Sequence, residues 1–228
     1  MKTFYRRNLP HIQPVGACFF VTFRLYNSVP KIAIDALSEK YTQRVTQAFF
    51  IGEVHKRNLE IFNLRKKYLI ELDGILDKIE TGPHYLKDLS IIQIIDKEIK
   101  RYDGTLYNLI AYCIMSNHVH LVIDTSVQLE NLKEDTELMQ SYQPLDKILK
   151  QIKGSTSRYI NLFLHRSGQF WERESFDIYI RNEKMLDNVI SYTLNNPMKA
   201  GIVENWEDFQ GNYFVETSNG SPNSFGEV

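Results

Sequence analysis

Two apolar runs separated by only two residues constrain this chain most. The first is LYNLIAYCIM at 106–115 and the second is HVHLVID at 118–124, with Ser116-Asn117 between them. Both have the β-branched and aromatic content of strands, and the two-residue gap allows a tight hairpin or a closely spaced bend. Residues i and i+2 of a strand point the same way. His118 and His120 therefore share one face, with small or apolar neighbours around them. Imidazoles so paired can hold one divalent metal ion. They can equally be ordinary half-buried strand residues, and the pair by itself leaves both readings open.

The rest of the chain supplies helices and further strands. Residues 1–16 are a polar, basic lead-in with Arg6, Arg7 and two prolines, and ACFFVTFRL at 17–25 reads as a central strand. Helices are predicted at about 31–43, within 50–80, over 85–100, over 144–164 and over 182–195. Gly82-Pro83 and Asp103-Gly104 mark breaks. Residues 125–142 read as an acidic loop with at most a short helical piece, 169–181 as a short extended or irregular segment, and 215–228 as a disordered tail. The order strand, helices, strand, strand, helices predicts an α+β domain with a mostly antiparallel sheet and helices on one face. The helical block at about 45–100 exceeds what such a domain needs and reads as an insertion.

Composition narrows the function classes. The net charge of −1 argues against bulk electrostatic attachment to nucleic acid, though not against a local basic groove. No run approaches a membrane span and the first residues do not read as a signal peptide. Cys18 and Cys113 sit in apolar runs and read as reduced core thiols, so a cytoplasmic location is expected.

Several side chains are candidates for chemistry. Tyr192 precedes Asn196 by four residues on a predicted helix, so the hydroxyl and the amide share a face that could meet the imidazole pair. The plainer reading is a partly buried tyrosine and an asparagine helix cap. Lys147, Lys150, Lys153 and Arg158, followed by Arg166, give the 144–164 helix a basic side. That side either touches phosphates or is simply solvated. Trp171 either anchors its loop in the core or stacks on an exposed base.

The combination resembles the HUH tyrosine transposases, and most closely the REP-associated tyrosine transposases with their single-tyrosine insertion-sequence relatives. The resemblance runs through Phe19 to Arg24, Met115 to Val122, Lys153-Gly154 to Arg158-Tyr159 and Asn161, Gly168 to Trp171, and Tyr192 through Asn195-Asn196-Pro197-Met198-Lys199-Ala200-Gly201. It spans most of residues 5–213 and weakens near 45–85 and 125–142. It implies a catalytic domain over 1–214 with an RRM-like or ferredoxin-like core. It also implies His118, His120 and Asn196 around Mg²⁺ or Mn²⁺, and Tyr192 as nucleophile. Arg6, Arg7, Lys150, Lys153, Arg158, Arg166 and Trp171 are the candidate DNA contacts. The expected activity is cleavage and rejoining of single-stranded DNA through a 5′-phosphotyrosine link, at sites beside a hairpin, by a monomer or homodimer. A nucleic-acid-binding protein without turnover and a metal-dependent phosphodiester hydrolase are the rival readings.

Overall fold

The computed structural model describes residues 4–6, 10–130 and 141–215, with backbone alone for 4–6, 10 and 11. The chain divides into two compact units, one of Met1–Leu25 with His84–Val228 and one of Tyr26–Pro83.

The larger unit is built on a five-stranded antiparallel sheet. Its strands are β3 (Cys18–Leu25), β4 (Asn108–Ile114), β5 (His118–Asp124), β6 (Trp171–Tyr179) and β7 (Asn212–Phe214), in the order β6-β3-β5-β4-β7. Helix α3 (Leu89–Lys100) precedes β4, and α5 (Leu145–Phe163) joins β5 to β6. Without β7, this is the βαββαβ arrangement of a ferredoxin-like fold, so the predicted α+β class is what the chain adopts. Strands β1 (Phe4–Arg6) and β2 (Pro10–Ile12) form a small antiparallel pair inside the stretch expected to be a lead-in. The short α4 (Val127–Glu130) falls where a helical piece was expected, while 131–140 and the tail from 216 lie outside the described residues.

The Ser116-Asn117 connection resolves as a tight hairpin, with the Met115 amide donating to His118 O at 2.9 Å. The turn is held from two other places: Leu25 N donates to Asn117 O and Leu86 N to Ser116 O. Cross-strand register then sorts the side chains. Phe19, Val21 and Phe23 lie opposite Ile123, Leu121 and Val119 and enter one core. Thr22 lies opposite His120, on the other face.

The first face is covered by α3 and α5. Asp88 caps α3 by accepting from Ser90 N at 2.8 Å, and Ile91, Ile95 and Ile99 follow at one-turn spacing, all fully buried. On α5, Leu145, Ile148, Leu149, Ile152 and Ile160 enter the same core. Helix α3 therefore belongs to the sheet domain and not to the helical block of 45–100 that the sequence marked out. Its isoleucine stripe has an apolar sheet face to cover, which ties it to the fold. The second face carries α6 (Glu183–Leu194), packed on β4 and β5 and capped by Asn182, which accepts from Met185 N at 2.9 Å. The 3-10 turn at Tyr85–Lys87 and the four-residue α7 (Asn196–Lys199) complete this unit's main elements.

Residues 169–181 form more than a short extended piece. Strand β6 runs nine residues, because pairing with β3 supplies the backbone bonds that its polar WERES sequence conceals. The smaller unit contains α1 (Lys31–Ala48) and α2 (Val54–Lys78), packed through an edge-on Tyr41–Tyr68 contact and ion pairs from Lys40 and Arg44 to Glu71. Among the described residues no helix is long and apolar enough to cross a membrane.

Truncating Ile95 to alanine should cost about 2–5 kcal/mol in urea unfolding, through lost burial and a cavity that closes only partly. A loss near zero would show that α3 does not build this core.

Candidate metal and nucleophile centre

The site lies on the second face of the sheet, where β5 presents His118 and His120. Both are fully buried. Their Nε2 atoms face each other at 3.1 Å, and each Nδ1 is held from behind. The His118 Nδ1–H donates to Asn117 Oδ1 at 2.7 Å. An amide oxygen only accepts, so this bond puts the proton on Nδ1 and a lone pair on Nε2. Nδ1 of His120 meets the Thr22 hydroxyl at 2.8 Å. A hydroxyl can donate or accept, so His120 is free to take the same tautomer. With His120 in that tautomer, two lone pairs face each other at a separation that a shared cation would bridge, and the bonds behind each ring are the kind that orient metal-binding imidazoles.

The third side comes from Asn196, whose Nδ2 lies 3.1 Å from His120 Nε2. Asn196 is 2% exposed, and its Oδ1 is buried without a hydrogen-bond partner. Leaving such an acceptor unsatisfied costs about 1–3 kcal/mol. Rotating the amide would direct that oxygen at the imidazole pair. Two neutral imidazoles and one unsatisfied amide oxygen fit a divalent ion, so the buried pair could bind a metal.

Burial also sets the charge state. It pushes the His118 imidazole from 6.5 down to about 3. His120 is likewise held well below its ordinary value, first by burial and then by the nearby His118 and Lys199. Both rings are thus neutral near pH 7, the form in which imidazole ligates.

Tyr192 closes the site from α6. Its half-buried ring meets the His120 ring edge-on at 5.7 Å and Phe20 at 6.0 Å, and Phe20 in turn stacks on His120 at 5.4 Å. Tyr192 and Asn196 straddle a break, since α6 ends at Leu194 and α7 begins at Asn196. Pro197 explains the break, because it has no amide N–H to return to the preceding turn. The Lys199 ammonium lies 4.4 Å from the Tyr192 ring centre. Thr22, Asn117 and Lys199 were given no role from sequence. Thr22 was legible only through its cross-strand pairing, and Asn117 and Lys199 only by their nearness to the ligands and to Tyr192.

The candidate DNA contacts do not converge on this centre. Helix α5 buries its apolar side against the face opposite the histidines, so Lys150, Lys153 and Arg158 belong to another side of the domain. Lys150 and Arg158 are exposed. Lys153 Nζ donates to Glu172 O, Arg173 O and Ser175 Oγ at 2.7, 3.2 and 3.0 Å and thereby joins α5 to β6. The groove of about 1100 Å³ beside it has Lys150, Lys153 and Arg173 offset by Asp146, Glu172 and Glu174. Its lining thus mixes charges of both signs. Arg166 packs over Tyr85 and Phe170 and donates to Gln169 O. Trp171 is 3% exposed, donates to Thr156 Oγ1 at 2.9 Å and packs edge-on against Phe23 and Phe170. It is the core anchor, and stacking on a base would require it to leave the core. Arg7 lies outside the described residues, and Arg6 is described only as backbone of β1.

No protein-family model matches the sequence. A Haemophilus influenzae protein carrying the provisional name REP-associated tyrosine transposase is 26% identical over 105 residues, which is 45% of this chain and 56% of that protein. The chain thus spans little more than half the length of this curated relative. A solved structure, described as a REP-associated tyrosine transposase bound to a REP hairpin, aligns over 91% of this chain and 80% of its own, with 16% identity and a TM-score of 0.45. The chain is similar to the REP-associated tyrosine transposases, the resemblance its motifs already carried.

The histidine shifts predict acid lability. The folded-state values lie below 6.5, so the unfolded chain binds more protons as pH falls under 6.5. This contribution is complete above 6.5 and is lost progressively as pH drops toward 3. Denaturant midpoints of chelator-treated protein should therefore fall across this window, and more steeply than in His118→Leu/His120→Leu. Equal slopes would mean that the imidazoles are not buried neutral.

Proposed function

We propose that this protein is a metal-dependent single-stranded DNA endonuclease and strand transferase of the HUH tyrosine type, acting at sites beside a hairpin. The observation that carries the reading is the Tyr192 ring lying against His120 on the face where the two Nε2 atoms converge. A strand-borne imidazole pair and a helix-borne phenol from distant parts of the chain then form one centre.

His118, His120 and Asn196 are the residues that would hold Mg²⁺ or Mn²⁺. Such an ion, when bound, polarises the scissile phosphate and offsets charge on its oxygens. Tyr192 Oη attacks phosphorus in line. The P–O3′ bond breaks as the P–Oη bond forms, and the phenolic proton ends on the departing 3′-oxygen. The products are a 5′-phosphotyrosine and a free 3′-hydroxyl. Attack by a second 3′-hydroxyl reverses the step and joins strands without external energy. Lys199 supplies positive charge beside the phenol, where the phosphate must approach. Phe20 and His120 restrict the ring's rotation by packing on it. Lys150 and Arg158 remain candidates for contacts to flanking DNA on the domain's other side, with Arg6 and Arg7 at its N-terminus.

Incubation with single-stranded hairpin DNA and Mn²⁺ should give a denaturant-stable adduct at Tyr192, and Tyr192→Phe should abolish it while retaining DNA binding. Adduct formation by Tyr192→Phe at the parental rate would remove Tyr192 as nucleophile. Cleavage without any adduct would favour the hydrolase, and binding without cleavage would favour the module without turnover. EDTA treatment should stop adduct formation and added Mn²⁺ should restore it. In His118→Ala/His120→Ala, Mn²⁺ should restore nothing, and full restoration there would place the metal elsewhere.

A further inference from the structure

The break between Tyr192 and Asn196 needs something to set its position over the sheet, because two short helical pieces meet there without a continuous hydrogen-bond ladder. The Leu194 carbonyl, at the end of α6, accepts from Asn212 Nδ2 at 3.0 Å. The same amide donates to Trp206 O at 2.8 Å. Asn212 opens β7 and lies directly across from Cys113, which lies across from His120. Residues opposite one another on a ladder share a face. Thr22, His120, Cys113 and Asn212 thus form one row across the sheet, and the amide at its end reaches up to the break.

The strand that carries this amide is tightly seated. Ile114 N donates to Gly211 O at 2.8 Å, and a Cβ at Gly211 would stand 2.5 Å from Ile114 O, a separation that real side chains do not tolerate. Asn212 N donates to Phe209 O at 3.0 Å. The amide therefore springs from backbone fixed both to β4 and to its own turn.

We infer that Asn212 is a positioning residue for the centre. It ties the junction between Tyr192 and Asn196 to the strand row carrying His120, and so sets how the Asn196 amide and the Tyr192 ring meet the imidazoles. The metal part of this inference needs only the imidazole pair and Asn196. The Tyr192 part rests on the function proposed above.

The test uses the full chain and Mn²⁺ alone, followed by electron paramagnetic resonance, with hydrogen exchange of residues 195–200 as a second readout. Asn212→Asp keeps the shape but turns the donor into an acceptor facing two carbonyls. It should weaken Mn²⁺ binding on the order of ten- to hundredfold and speed exchange at 195–200. Ile95→Val, on the opposite face, should lower the melting temperature and leave Mn²⁺ affinity unchanged. Parental Mn²⁺ affinity in Asn212→Asp overturns the inference. So does an equal loss in Ile95→Val, since the effect would then be general destabilisation. A parental protein that binds Mn²⁺ but forms no DNA adduct removes the transferase reading and leaves the metal part of this one standing.

Discussion

Strand β5 is buried on both faces, and everything else in the domain answers to that. Its odd positions, Val119, Leu121 and Ile123, complete the apolar core under α3 and α5. Its even positions place two imidazoles on the face that α6 covers. A polar ring moved away from water costs free energy unless its nitrogens are partnered. Asn117 and Thr22 take the outer nitrogens, and the inner pair face each other. Shifting β5 by one residue would put the histidines among the isoleucines of α3, so the apolar core holds the polar site in register.

The same constraint explains how the two halves of the centre meet. The hairpin at Ser116-Asn117 is clamped by Leu25 and Leu86, so His118 starts from a fixed point. The tyrosine helix is not continuous with any strand and must be placed by contacts. Packing of Tyr192 on Phe20 and His120 supplies one set, and the bond from β7 to Leu194 supplies another. Strand β7 thus bonds to the helix that packs on histidines encoded almost a hundred residues earlier.

Much of this was legible from local pattern. Alternation put His118 and His120 on one face, and the four-residue spacing of Tyr192 and Asn196 put two polar groups on one side of a helical segment. The helices at 85–100 and 144–164 were equally clear. Edge strands were less so. The polar residues of β6 obscure its strand character because one edge of the strand is satisfied by β3, and a three-residue β7 carries no period of its own. Trp171 was ambiguous because a large aromatic beside charges suits either a core or a surface.

The sequence by itself determined which side chains travel together: the imidazole pair, the phenol with its amide, and the lysines along α5. Those groupings follow from the periods of strand and helix, which are local properties of the backbone. Only the tertiary structure decided which groups meet. It set α6 over the histidines and α5 on the far face, turned Lys153 into a tie to β6, and buried Trp171. Periodicity says which residues share a face, but which helix covers which face of a sheet depends on how connections of different length cross it. That is settled only when the whole core packs.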